Sequence, residues 1–287
     1  MVNAVTGTLY DFGGVGPILN FAVGNGFPPL TYRLMIQPLL AQSHVVSVLP
    51  RALWPNPPAP ASSPTWQTLV DDTVAIMDEH GLDRVIAAGH SGGASASIMT
   101  VARHPERFSA LILLDPTIFE PAINEVIDRV REGQGEVPFF MQIADKARKR
   151  RAHFANRQEA FDFWRARSLF AQFTDEALWL YVEAVTVPAP EGGLTLVWSP
   201  EWEAQYYETV WTKIWDDIAL LPPDLPILTI RGSTSDTFME PAAALLRERL
   251  PQMEYHEIEG HGHLFLCTAP EATAAIISRF LTDQGLA

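Results

Sequence analysis

Five short apolar runs punctuate the chain, each closed by glycine, proline, serine or aspartate: "LNFAVGNG" (19–26), "HVVSVLP" (44–50), "RVIAAGHS" (84–91), "ALILLDP" (110–116) and "PILTIRGS" (226–233). Polar residues hardly interrupt them, which is the pattern of strands covered on both faces. Helical spacing lies between the runs. Over 64–80, Trp66, Leu69, Val70, Val74 and Met77 follow an i, i+3, i+4 stripe, with Ser63 as the expected cap ahead of a first-turn Pro64. "GGASASIMTVAR" predicts a second helix that stops at His104-Pro105, and "APEATAAIISRFLTD" predicts a closing one. Strand–helix alternation of this kind predicts an α/β fold built on a doubly wound, mostly parallel sheet. No fixed repeat period is visible, which argues against a solenoid.

The alternation stops between about 117 and 222. This stretch is rich in helix formers and carries six of the eight tryptophans: Trp164, Trp179, Trp198, Trp202, Trp211 and Trp215. The expected organisation is a core made of 1–116 and 223–287, with 117–222 as an inserted helical subdomain. Its aromatic residues can fill a core of their own, roof an apolar pocket on the sheet, or do both. "KARKRR" (146–151) is the one basic run, read as a solvated helix face with some capacity to attract anions.

Composition narrows the partners. With 20 Lys plus Arg against 34 Asp plus Glu, the net charge of −14 repels polyanions, so nucleic acid is not expected. No run of 18 apolar residues exists, so no membrane span is expected. Cys267 is the single cysteine and allows neither an internal disulfide nor a cysteine-rich zinc site. The N-terminal "MVNAVTGTLYDFGG" lacks a basic n-region and an apolar h-region, so a cytoplasmic location is expected.

The candidate chemistry centres on "AAGHSGGAS" (87–95), in which Gly89-His90-Ser91-Gly92-Gly93 reads G-x-S-x-G between a predicted strand and a predicted helix. A sharp strand-to-helix turn lifts the Ser91 hydroxyl into the open, and the amides that follow point at the same spot from the positive end of a helix. Serine is a poor nucleophile without a base. "IEGHGHLFLCTAPEA" offers His261 and His263 on the loop before the last helix, at the sheet edge where ligands bind in such folds. His90 adjoins Ser91, but on a tight turn its side chain points away from the serine hydroxyl. An acid between serine and histidine in chain order is supplied by Asp236 in "ILTIRGSTSDTF". Asp115, which ends "LILL", is the alternative acid; ahead of Pro116 it can instead pin a turn.

Over nearly its whole length the chain resembles the α/β-hydrolase superfamily: "GHSGG" matches the elbow, "RGSTSD" the acid loop and "GHGHLFLCTAPE" the histidine loop. The resemblance implies an α/β-hydrolase fold with 117–222 as its helical cap, and it selects His263 over His261 and Asp236 over Asp115. "GNGFPP" (24–29) stands where the family usually carries His-Gly-x-Pro, which places the backbone N–H of Phe27 beside that of Gly92 in an oxyanion hole and puts Asn25 in the histidine's position. Asn25, His90, Trp164 and Trp211 are the expected pocket residues. The function implied is that of a serine esterase acting on an ester or lactone of moderate size and moderately apolar character through a Ser91–His263–Asp236 triad, with no metal or organic cofactor. The alternatives are a carbon–carbon bond or amide hydrolase with the same triad, and a ligand-binding or receptor protein that keeps the fold.

Overall fold

Apolar runs with no polar face can be buried only between two helical layers, and the central strands are. The computed structural model describes residues 4–138 and 142–287. Strands β1 (Ala4–Thr6), β2 (Leu9–Gly13), β3 (Ile18–Ala22), β4 (His44–Val48), β5 (Val85–His90) and β6 (Phe108–Leu114) precede the insertion. The short strands β7 (His153–Phe154), β8 (Thr186–Pro188) and β9 (Leu194–Leu196) lie within it, and β10 (Ile227–Gly232) and β11 (Glu254–Ile258) follow it. The main sheet has the order β1-β2-β4-β3-β5-β6-β10-β11. From β4 to β11 every pairing is parallel; β1 and β2 form the antiparallel edge. All six residues of β5 and all six of β10 are buried.

Before the insertion come α1 (Arg33–Ile36), α2 (Gln67–Glu79) and α3 (Gly92–Arg103). Within it are α4 (Pro121–Arg131), α5 (Ile143–Arg148), α6 (Arg157–Arg165), α7 (Asp175–Val185), α8 (Pro200–Glu208) and α9 (Ile214–Ile218). After it come α10 (Glu240–Arg249), α11 (Phe265–Thr268) and α12 (Pro270–Asp283). Helices α2, α3 and α9 pack as one group and α1 with α12 as another, both against the sheet. Helix α2 starts later than expected. Ser63 does not cap it; the Thr65 hydroxyl accepts from the Gln67 amide at 3.2 Å instead. No described helix is long and apolar enough to cross a membrane.

The insertion is not wholly helical, because β7, β9 and β8 form a small antiparallel sheet inside it. It also divides in its packing. Phe154, Trp164, Phe170, Tyr181 and their neighbours form a separate apolar cluster that closes on Leu264 and Cys267 of the core. Trp198, Trp202, Tyr206, Ile214 and Ile218 join the main core.

The crossing of β3 and α3 is tight enough to require glycine. A Cβ at Gly93 would stand 2.3 Å from the Ala22 carbonyl oxygen and 2.5 Å from that of Val23. Gly→Ala within a helix ordinarily stabilises by about 1 kcal/mol. Here the sign should reverse: Gly93→Ala should lower the unfolding free energy by about 1–3 kcal/mol in urea titrations. A stabilised variant would refute the close approach.

Candidate active site

Ser91 directly follows β5 and serves as the N-cap of α3, at φ 56° and ψ −126°. Only Ser91 and Asp115 among the described non-glycine residues have positive φ, the latter at 45°. Such geometry costs about 1–3 kcal/mol per residue and persists where the surroundings hold it. They do so here through the sheet. The Ser91 amide donates to the Leu114 carbonyl at 3.1 Å, and the Asp115 amide to the Ile230 carbonyl at 2.8 Å. The two residues therefore stand side by side at the ends of adjacent strands β5 and β6.

His263 closes the group from the loop after β11. Its Nε2 lies 3.0 Å from Ser91 Oγ and its Nδ1 lies 2.6 Å from Asp115 Oδ2. A carboxylate only accepts, so Nδ1 carries the proton and Nε2 is left bare toward the serine hydroxyl. Asp115, with no exposed side-chain surface, accepts two further hydrogen bonds, from the Gly232 amide at 3.0 Å and from the Ser235 hydroxyl at 2.5 Å. Gly232 must be a glycine, since a Cβ there would stand 2.4 Å from the Gly262 carbonyl as the histidine loop crosses it.

The expected acid, Asp236, is corrected by this geometry. It sits exposed on the turn after β10, while the preceding Ser235 turns inward to Asp115. The Ser235 hydroxyl accepts from the amides of Thr237 and Phe238, which directs its own proton to the carboxylate. The acid loop thus supplies a hydroxyl in support of a carboxylate held by the neighbouring strand. Sequence reasoning missed Ser235 and also Thr117, whose hydroxyl lies 3.3 Å from Ser91 Oγ. Neither carries a motif of its own, although both lie within three residues of a residue that was singled out. His261 bonds locally to the Thr268 hydroxyl at 2.7 Å and is no part of the group.

The expected pair of oxyanion donors is only half free. Gly92 is the first residue of α3, so its N–H has no intrahelical acceptor. The Phe27 amide, by contrast, donates to the Gly24 carbonyl at 3.1 Å and closes the turn of its own loop. Asn25, in place of the family's histidine, donates from Nδ2 to the Glu203 carbonyl of α8 at 2.9 Å and so ties this loop to the insertion.

Beside Gly92 opens a cleft walled by Val23, Val48, Leu49, Trp66 and Leu69 and closed from the insertion by Trp198 and Tyr206. Asn25 lines it as expected. The other three expected pocket residues do not. His90 is buried beneath the site. Trp164 fills the insertion's own core between Phe154 and Tyr181, with ring centroids 4.9 and 5.0 Å away. Trp211 donates to Asp217 at 2.7 Å beneath the Arg103 guanidinium, at the joint with α3. Aromatic content identified the insertion's role in packing but could not say which indoles face inward.

The basic run is mostly paired. Arg148 meets Glu208, Arg151 meets Glu159, and Arg150 bonds both Glu203 and the Tyr181 hydroxyl beside the oxyanion loop. Among the described residues, no group of three or more His, Cys, Asp or Glu is placed to hold a metal.

Residues 20–276 match the model of the alpha/beta hydrolase family. The chain belongs to that family. Epoxide hydrolase 2 of Siraitia grosvenorii is 31% identical over 143 residues, 46% of this chain and 43% of that protein. The chain covers less than half the length of the curated relatives it matches. Among solved structures, E-2-(acetamidomethylene)succinate hydrolase superposes with a TM-score of 0.77 at 19% identity, covering 96% of this chain and 94% of that one. An esterase of M. tuberculosis gives 0.72 at 20% identity, covering 98% and 91%.

In this alpha/beta hydrolase the residue before the serine has a definite place. His90 Nε2 faces the His263 carbonyl at 3.1 Å, so it must donate; Nδ1 then accepts from the Tyr32 hydroxyl at 2.9 Å, and the Tyr32 oxygen accepts from the Gly24 amide at 3.0 Å. One proton order runs from the oxyanion loop to the histidine loop. Burial, and then the nearby His263, hold the His90 pKa well below its usual value, so the ring stays neutral. The unfolded chain takes up a proton near pH 6.5 while the folded chain does not. Stability is therefore fullest above that pH and is lost as pH falls below it toward the depressed folded pKa. Between pH 6.5 and 5.5 the wild type should lose about 1 kcal/mol more unfolding free energy than His90→Gln. Parallel pH profiles of the two proteins would contradict the neutral assignment.

Proposed function

We propose that the protein is a serine hydrolase that cleaves a small carboxylic ester or lactone of moderately apolar character through an acyl-enzyme. The observation that carries the reading is the unbroken hydrogen-bonded line Ser91–His263–Asp115, whose two ends are, among the described residues, the non-glycine ones at positive φ. His263 Nε2 takes the Ser91 proton as Oγ attacks the substrate carbonyl, and Asp115 holds the imidazole tautomer and stabilises the imidazolium. The carbonyl oxygen, as it gains charge, is received by the Gly92 N–H at the positive end of α3. The Phe27 N–H joins only by sharing its proton between Gly24 and the oxyanion. The imidazolium protonates the departing alcohol, and the same base then activates water to release the acid. The apolar walls of the cleft beside Gly92 support a substrate with a hydrocarbon portion.

With p-nitrophenyl esters of graded acyl length, Ser91→Ala should lose several orders of magnitude in kcat with little change in melting temperature. A variant that kept more than about a tenth of the activity would remove Ser91 from the chemistry. Stoichiometric labelling by a fluorophosphonate should occur in the wild type alone.

The acid is tested separately. Asp115→Asn should lower kcat by about 10⁴, since an amide presents the wrong partner to the imidazole. Asp236→Asn should stay within roughly twofold of wild type, as an exposed side chain off the hydrogen-bonded line. The reverse pattern would return the role to Asp236.

A further inference from the structure

Ser91 Oγ has a second neighbour besides His263. The Thr117 hydroxyl lies 3.3 Å away, and among the described residues Ser91 Oγ is its one hydrogen-bond partner. Thr117 is strapped to the elbow by its backbone. Its amide donates to the Ser91 carbonyl at 3.2 Å, and its carbonyl accepts from the Ser95 hydroxyl at 2.9 Å. Pro116, whose ring fixes φ, separates it from Asp115. The turn that leaves β6 therefore reaches both parties to the chemistry, the base through Asp115 and the nucleophile through Thr117.

The direction of this bond follows from the proton order. His263 Nδ1 keeps its proton for Asp115, so the bare Nε2, 3.0 Å from Ser91 Oγ, accepts the serine proton. Ser91 Oγ is left with lone pairs for Thr117, which donates. Resting on the serine-hydrolase reading, we propose that Thr117 is a further catalytic residue, whose hydroxyl stabilises negative charge on Ser91 Oγ. As Oγ attacks, its electron pair forms the bond to the carbonyl carbon and its proton passes to His263 Nε2. Thr117 keeps its own proton and donates to Oγ throughout. In the acyl-enzyme Oγ is an ester oxygen and a weak acceptor. After water has added, collapse breaks the C–Oγ bond, its electron pair returns to Oγ, and His263 returns the proton. Thr117 meets the same charge again. At 3.3 Å the resting bond is longer than an ordinary O–H···O contact of about 2.7–2.8 Å, as catalytic hydrogen bonds often are before charge develops.

Thr117→Val keeps the β-branched shape and the backbone amide and carbonyl, and removes the donor. The rate of fluorophosphonate labelling, in which Ser91 Oγ displaces fluoride from phosphorus, should fall about tenfold. With p-nitrophenyl esters kcat should fall by a similar factor while KM changes little, because bond formation and bond breaking at Oγ slow together. Thr117→Ser restores the hydroxyl and should regain most of both rates. Wild-type labelling and turnover in Thr117→Val would overturn the proposal and leave the serine-hydrolase reading standing. Equal losses in Thr117→Val and Thr117→Ser would do the same. A wild type that neither labels nor hydrolyses these esters would overturn both. If Thr117→Val does not fold, Thr117→Ala removes the same donor and is read against Thr117→Ser in the same way.

Discussion

The arrangement of this site depends on one enclosed carboxylate. Asp115 leaves the end of β6 in a backbone conformation that non-glycine residues seldom adopt, and three donors converge on it: a β10 amide, the Ser235 hydroxyl and the His263 imidazole. A buried carboxylate deprived of its partners is strongly destabilising, on the order of several kcal/mol. The loops after β6, β10 and β11 therefore share one polar centre, and His263 is aimed at Ser91 as a consequence. The backbone strain at Asp115 is held by its own amide, which remains in the ladder with β10.

The oxyanion side is organised by different contacts, and these reach into the insertion. Tyr32 holds Gly24 and His90, and His90 in turn holds the His263 carbonyl. Asn25 is held by Glu203, Glu203 by Arg150, and Arg150 by Tyr181, whose ring packs 5.3 Å from that of Phe27. Asn25 stands in this loop where the family usually carries histidine, and it is tied to residues of the insertion. The insertion thus contributes to the geometry of the loop as well as to the wall of the cleft.

Much of the fold was legible because it rests on local signals. Burial on both faces leaves uninterrupted apolar runs, and each of the five became a strand within a few residues of its predicted bounds. The elbow was legible for the same reason: Gly89, Ser91 and Gly93 record a steric requirement at neighbouring positions. His263 was reached only with the family spacing, since nothing local separates it from His261. The acid was misread because the choice between Asp115 and Asp236 is made in space. Which side chain of the β10 loop turns inward depends on a one-residue phase, and Ser235 has it. The tryptophans failed likewise: Trp164 and Trp211 share the composition of Trp66 and Trp198 but not their facing. Strand β1 and the small sheet of the insertion are too short to leave a periodic trace, and β2, only partly buried, has no uninterrupted apolar run.

The most direct test of the account is the imidazole N–H proton of His263, observed by proton NMR. A hydrogen bond of 2.6 Å to a buried carboxylate shields that proton from exchange and moves its resonance far downfield. The resonance should be present in the wild type and in Asp236→Ala, and absent from a folded Asp115→Ala. Its survival in Asp115→Ala together with its loss in Asp236→Ala would contradict the account.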